Sequence, residues 1–395
     1  HSTPALWAYL KNDARVQNVE MVLIGRNSSR LDAIVRACRI LTDADCGDFP
    51  VGAVYDRAFF PQLAEYGRSQ TAPTEDADVV LIQIRNGGYA ARAFDETFPL
   101  RYGIPGDEGL GPGGLSAALR NWEPIRSALQ QVAAHAPNAL VLMMSSPVCI
   151  LVRVAKEAFP RLRVAGICEL PWTTLLQVCS ETGANRAGVR FDYFGVNHLG
   201  WLYGISDRCR EISKPAPLKY LRLHLARKQV VEEQCKSAVS RGAELDQLSR
   251  AAYQAYRNGT CEDIQRALAC RAAPWYTHAV GPLIAALGGQ RVTATFFLSV
   301  QNDGFDVDCS ADDVLEYAHA VTGNTLHRIP RRRSVPAEMR DILSPLIHYE
   351  RRATRAILTG EPADIESALE EHPWIPDVGT ASKLTKEILT YAHPC

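Results

Sequence analysis

The 395-residue sequence has no C-x-x-C pair, and its eleven cysteines are odd in number and scattered. That spacing leaves no basis for a disulfide framework or a structural zinc module, so a reducing cytoplasm is the expected compartment. No apolar run reaches the ~18 residues of a membrane span, and no signal-like segment opens the chain, so a soluble protein is expected. Charge of either sign is not in excess: 43 Lys and Arg stand against 44 Asp and Glu, a formal net charge of −1. Neither nucleic acid nor an anionic membrane is attracted by such a balance, and any anionic ligand has to be held by local groups. Internal repeats, low-complexity tracts and a flexible interdomain linker are missing too. So is the Gly-rich turn, with its preceding strand, that opens a dinucleotide-binding unit.

What is there is an alternation of β-branched runs and helical patterns. The length suits two intimately packed domains. Strands are expected over 19–24, 78–84, 139–144 and 164–167, with helices over 29–41, 58–67, 115–135 and 149–159 between them. This pattern predicts an α/β fold with a Rossmann-type, doubly wound parallel sheet over residues 1–165. Residues 166–395 read as an α+β domain. It comprises a strand into Asn197 and His198, a helical region over 218–257, a helix around 278–287, a strand over 291–300 and closing helices over 350–358 and 381–392.

Open parallel sheets bind ligands at the carboxyl ends of their strands, where Arg85, Ser145, Ser146 and Cys168 fall. Ser2 and Thr3 suit the cap of a first helix with Pro4 behind them. After the 19–24 strand, Gly25-Arg26 stands where an acidic residue would bond the ribose of NAD, and Arg26 suits a 2′-phosphate, so NAD and NADP both stay open. Cys168 in VAGICEL and His198 in YFGVNHLGW each follow a buried-looking strand. Singly, one reads as a small core residue and the other as a hydrogen-bonded loop residue. Together, a thiolate and an imidazole suit a divalent transition metal such as Mn, Fe, Co, Ni or Zn, with positions left open for substrate.

The stretch IQIRNGGYAARAFDETFPLRYGIPGDEGLGPGGLSAALR, followed in order by SSPVCILVRVA, GICELP, GVNHLGW and KYLRLH, resembles family 4 of the glycoside hydrolases. These are NAD- and manganese-dependent glycosidases with a fold of the lactate and malate dehydrogenase type, which the resemblance extends to the C-terminal domain here. It implies that Cys168 and His198 bind the metal, that Tyr220 is the catalytic base, and that Arg85 approaches substrate and cofactor. Asp107 and Glu108 stand where the family has a Gln-Glu pair near the sugar. Arg241 resembles the arginine that binds a substrate phosphate, though a uronate would suit it as well, and Arg222 is a cation expected to favour the Tyr220 phenolate.

The implied chemistry is a redox detour of hydride removal at C3, proton abstraction at C2, elimination of the group at C1, water addition and hydride return. Two departures bear on the substrate. Ser145-Ser146-Pro147 replaces the family's Asn-Pro, and Glu169 follows the metal cysteine, where an acid can protonate the leaving group. His224 also stands where an aromatic is common. The leading expectation is a 6-phospho-β-glucosidase-like enzyme acting on a small glycoside, as a homodimer or homotetramer. An α-linked or uronic-acid substrate, a plain NAD(P)-dependent dehydrogenase of a sugar or hydroxy acid, and a non-catalytic relative stay open.

Overall fold

Three short parallel strands carry the first part of the sheet: β1 (Val79–Ile82), β2 (Leu140–Met143) and β3 (Arg163–Ile167). A computed structural model of the chain describes residues 2–12, 19–25, 27–42, 77–288, 294–322 and 325–392. Every residue of β2 is buried, and alternate ones enter different cores. Val141 and Met143 join a core with the helices Gly111–His135, Val148–Ala158 and Ala337–Thr359, whereas Leu140 and Leu142 join one with Thr3–Asn12 and Gly281–Leu287. A strand covered on both faces needs apolar residues at every position, which is why the β2 sequence shows no polar alternation.

The remaining strands turn the sheet from parallel to mixed. They are β4 (Val189–Val196), β5 (Leu199–Asp207), β6 (Arg210–Glu211), β7 (Ala216–Pro217), β8 (Phe296–Gln301), β9 (Val314–Thr322) and β10 (Thr325–Arg328). The order is β1-β2-β3-β8-β9-β4-β5-β6, with β10 on β9 and β7 on β5. Because β8 pairs antiparallel with β3, one sheet runs past residue 165, which lies inside β3. The strand expected over 19–24 is not formed. Met21 and Leu23 pack on the cluster around the helix Ser28–Leu41, while Ile24 is 64% exposed, so packing is met without a ladder partner among the described residues. The helix expected over 58–67 and Arg26 lie outside the described residues.

β4 and β5 form a hairpin in which Val196 faces Leu199, leaving Asn197 and His198 as its turn. His198 sits at φ 70, in the left-handed region. A residue with a Cβ is strained there and is held only by its surroundings.

Asp313, fully buried just before β9, ties two helices to the sheet. It accepts hydrogen bonds from Arg153 Nη1 at 3.0 Å and from Arg351 Nε and Nη2 at 2.7 and 2.6 Å. Burial alone would raise this carboxyl, but the hydrogen bonds and charge of Arg351, then of Arg153, outweigh it and hold Asp313 below the usual range. Asp313→Asn is expected to lower stability in a urea titration by about 3 kcal/mol, the low end for a broken buried pair because Arg351 is 35% exposed. With the folded pKa below the unfolded one, the stabilisation is complete above about pH 4 and is lost as pH falls through the folded value. The wild type should therefore lose more stability than the variant between about pH 5 and pH 3.

Candidate active site

Cys168 directly follows β3 and is 4% exposed, its sulfur accepting the Leu170 backbone N–H at 3.4 Å. The hairpin turn carries His198, and the helix Lys219–Leu225 carries Tyr220, whose ring stacks on His198 with centroids 4.7 Å apart and planes 13° from parallel. That helix is anchored where Leu218 N donates to Gly200 O on β5, at 2.9 Å. Tyr220 in turn feels the charges of Asp107, Arg92, Glu169 and Cys168, so the thiol, imidazole and phenol line one site. The 107–111 loop closes it. A methyl group on Gly109 would stand 3.3 Å from Asp107 Oδ1 and 3.5 Å from His198 Nδ1.

The electrostatics share one cause. Burial, then Arg92, lowers His198 to about 4, so its imidazole is neutral at pH 7 and keeps a lone pair for a ligand. Burial, then Glu169 and Glu316, pushes the Cys168 thiol well above its usual range. Asp107, then burial, raises Tyr220, while burial raises Asp107 to about 6 and also raises Glu169. A buried thiol and a neutral imidazole offer one soft and one borderline donor, a pair that suits a divalent transition cation. Among the described residues no set of three or more His, Cys, Asp or Glu forms a metal cluster. Two protein donors leave the remaining positions to substrate oxygens and water, so the residues fit an open transition-metal site.

Beside this pair runs a chain of ion pairs that the sequence reading did not anticipate. Arg85, just beyond β1, pairs with Glu108, which also accepts from Arg92 Nη1 at 2.5 Å. Arg92 Nε donates to Glu96 at 2.7 Å, and Glu96 accepts the Gly242 backbone N–H at 2.6 Å. Glu108 thus clamps two arginines, whereas Asp107 faces Tyr220 and the Gly109 N–H, 2.7 Å away. Arg241 opens the helix Arg241–Asn258 one residue before Gly242. It is about half exposed, paired with Glu244 at 2.6 Å.

Arg222 is a correction. It is exposed and donates to Pro217 O at 3.2 Å, and the cations at Tyr220 are Arg92 and Lys219, whose Nζ stands 5.8 Å from the ring centroid. Two positions on a helix are about 200° apart, so 220 and 222 cannot share a face.

At the strand ends, buried Ser145 accepts the Ile84 backbone N–H at 2.8 Å, which turns its oxygen to the sheet rather than to solvent. Ser146 offers its carbonyl to Asn121 Nδ2 at 3.3 Å and precedes a cis bond to Pro147. Ser2 is buried at the start of the helix Thr3–Asn12. Thr3 reaches the Tyr276 hydroxyl, which donates to Gln83 at 2.5 Å just beyond β1. A helix N-terminus therefore lies beside the carboxyl end of β1, a suitable place for an anionic cofactor. His224 stacks on Trp374, 5.2 Å between centroids. Sequence reasoning missed Arg92, Asn197 and Glu316. The Arg92–Glu96 spacing of four and a lone acid in the apolar run of β9 were the available signals.

Residues 3–181 match the family model described as family 4 glycosyl hydrolase, and residues 215–375 match its C-terminal domain. The chain belongs to family 4 of the glycosyl hydrolases. A 6-phospho-alpha-glucosidase of Lacticaseibacillus paracasei is 33% identical over 147 residues, 37% of this chain and 33% of that protein. A maltose-6'-phosphate glucosidase of Bacillus subtilis is 29% identical over 190 residues, 48% of this chain and 39% of that protein. The chain thus spans a third to two fifths of the length of these two relatives. A 6-phospho-beta-glucosidase of Thermotoga maritima is 25% identical over 341 residues, 80% of this chain and 81% of that protein. The structure of a Thermotoga maritima 6-phospho-beta glucosidase with NAD and glucose-6-phosphate superposes with a TM-score of 0.83. At 21% identity, covering 99% of this chain and 95% of that one, it shows a shared fold.

Proposed function

We propose that the chain is a redox-assisted glycosidase that cleaves an O-glycoside of a 6-phosphorylated glucose, with NAD and a divalent metal, manganese first among them. One observation carries the reading: the Tyr220 ring lies flat on His198, within the field of Cys168. A phenol against a thiol and imidazole pair suits proton removal beside a Lewis acid, a grouping that a simple dehydrogenase does not need. The relatives named above act on 6-phosphoglucosides of both anomers, which supports the phosphorylated sugar and leaves the α or β preference to experiment.

NAD, when bound, would supply the hydride acceptor for C3 of the sugar, and a divalent ion, which Cys168 and His198 would hold, would supply the Lewis acidity that acidifies the C2 proton. The chain's own groups move the protons, and addition of water at C1 with return of the hydride to C3 completes a hydrolysis without net oxidation. Tyr220 Oη takes the C2 proton, and the charge of Arg92 favours the phenolate form. Glu169, buried beside Cys168, delivers a proton to the oxygen leaving C1. Asp107 and Ser146 orient the sugar hydroxyls, while Arg85 and Glu108 link the cofactor end of β1 to the sugar-binding loop. Arg241, half exposed on a helix N-terminus, receives the phosphate once its pairing with Glu244 gives way. The paired-carboxylate arrangement of ordinary glycosidases has no part in this scheme.

Aryl 6-phosphoglucosides of both anomers, with and without NAD, Mn and reductant, test the reading. Aryl release from one anomer that stops when either NAD or Mn is left out is the expected result. Release indifferent to both would defeat it.

A further inference from the structure

Under the Cys168 and His198 pair lies a buried cluster that the scheme above does not use. The register sets Gly166 of β3, Ser299 of β8, Glu316 of β9, Gly195 of β4 and Gly200 of β5 in one row. Three of the five have no side chain; Tyr193 takes the space left at Gly195 and Gly200, and Val148 the space left at Gly166. A methyl group on Gly195 would stand 2.8 Å from Tyr193 Oη, and one on Gly200 would overlap it. Glu316, in the middle of the row, is 1% exposed. It accepts hydrogen bonds from Tyr193 Oη at 2.5 Å and from Asn197 Nδ2 at 3.4 Å.

The Asn197 amide also faces the Cys168 sulfur, and the Asn197 backbone N–H donates to Cys149 Sγ at 3.0 Å. Asn197 shares the hairpin turn with His198. One amide therefore meets Glu316 on one side and the candidate metal thiol on the other, and its residue immediately precedes the candidate metal histidine in the turn. Among the described residues no lysine or arginine pairs with Glu316, although burying an acid without a cation is costly.

We infer that Glu316 is a positioning residue for the metal pair: braced by Tyr193, it holds the Asn197 amide against the Cys168 sulfur and so fixes thiol and histidine turn relative to each other. The inference rests on the reading that Cys168 and His198 hold the ion. Groups that orient metal ligands from behind commonly change affinity by about 10- to 100-fold when removed.

The test is a titration of Co²⁺ into the full-length, chelator-treated, NAD-loaded protein, followed by the sulfur-to-cobalt absorption band. Glu316→Ala and Asn197→Ala are each expected to weaken binding by about 10- to 100-fold and to shift the band. Glu316→Gln keeps both contacts, with Oε1 toward Asn197 and Nε2 toward Tyr193 Oη, and should stay within about threefold of wild type. Asn197→Ala leaves Glu316 bonded to Tyr193, so it carries the test if Glu316→Ala does not fold. Wild-type affinity and an unshifted band in the alanine variants would overturn the positioning role alone. A band absent from the wild type, or surviving in Cys168→Ser, would overturn the metal reading and this inference with it.

Discussion

Tyr220→Phe lowers kcat by about 10²- to 10⁴-fold, the usual contribution of a positioned general base, while metal affinity stays at the wild-type value. The two outcomes separate because phenylalanine keeps the ring that stacks on His198 and removes only the oxygen. The Asp107 charge, then burial, holds the phenol protonated in the chain alone, so its activation depends on the cations around it. Steady-state kinetics together with Mn titration check the prediction. A variant that loses metal along with activity would make Tyr220 a packing residue of the site rather than its base.

His198→Asn abolishes turnover and weakens Mn by more than about 100-fold, since a lost ligand costs more than a lost supporting group. The fold is expected to survive. At φ 70 the turn asks for a residue that tolerates the left-handed region, and asparagine does so better than most side chains. Thermal unfolding within a degree or two of wild type, beside absent metal binding, is the expected pair of results. Unfolding many degrees lower would mean that the imidazole serves the hairpin more than the ion.

The parallel strands were legible because β2 and β3 are apolar at nearly every position, a pattern that burial on both faces imposes. The candidate pair stood out in the sequence for a related reason. Cys168 and His198 each close such a run, and reactive groups at strand ends stand out against it. The segment 19–24 shows where the pattern misleads, for Met21 and Leu23 are satisfied by the helix behind them without any ladder. β5 and β9 escaped because nothing local marks which apolar run pairs with which; their partners lie across the hairpin turn or far along the chain. Glu316 escaped for the same reason. Its meaning depends on the row that brings Gly195 and Ser299 beside it, and that row exists only in the folded sheet. Arg222 was misassigned because proximity in sequence to Tyr220 is opposed by the turn of the helix, and Arg92 reaches the phenol from a different element.

The central claim is that the chain removes the proton at C2 of the sugar from the Tyr220 side of the site. Cleavage of a 6-phosphoglucoside in deuterated water with NAD and Mn tests it most directly, by mass and proton spectra of the released sugar. The account predicts one deuterium at C2 in the product, absent with Tyr220→Phe. Release of sugar that keeps its original hydrogen at C2 would contradict it.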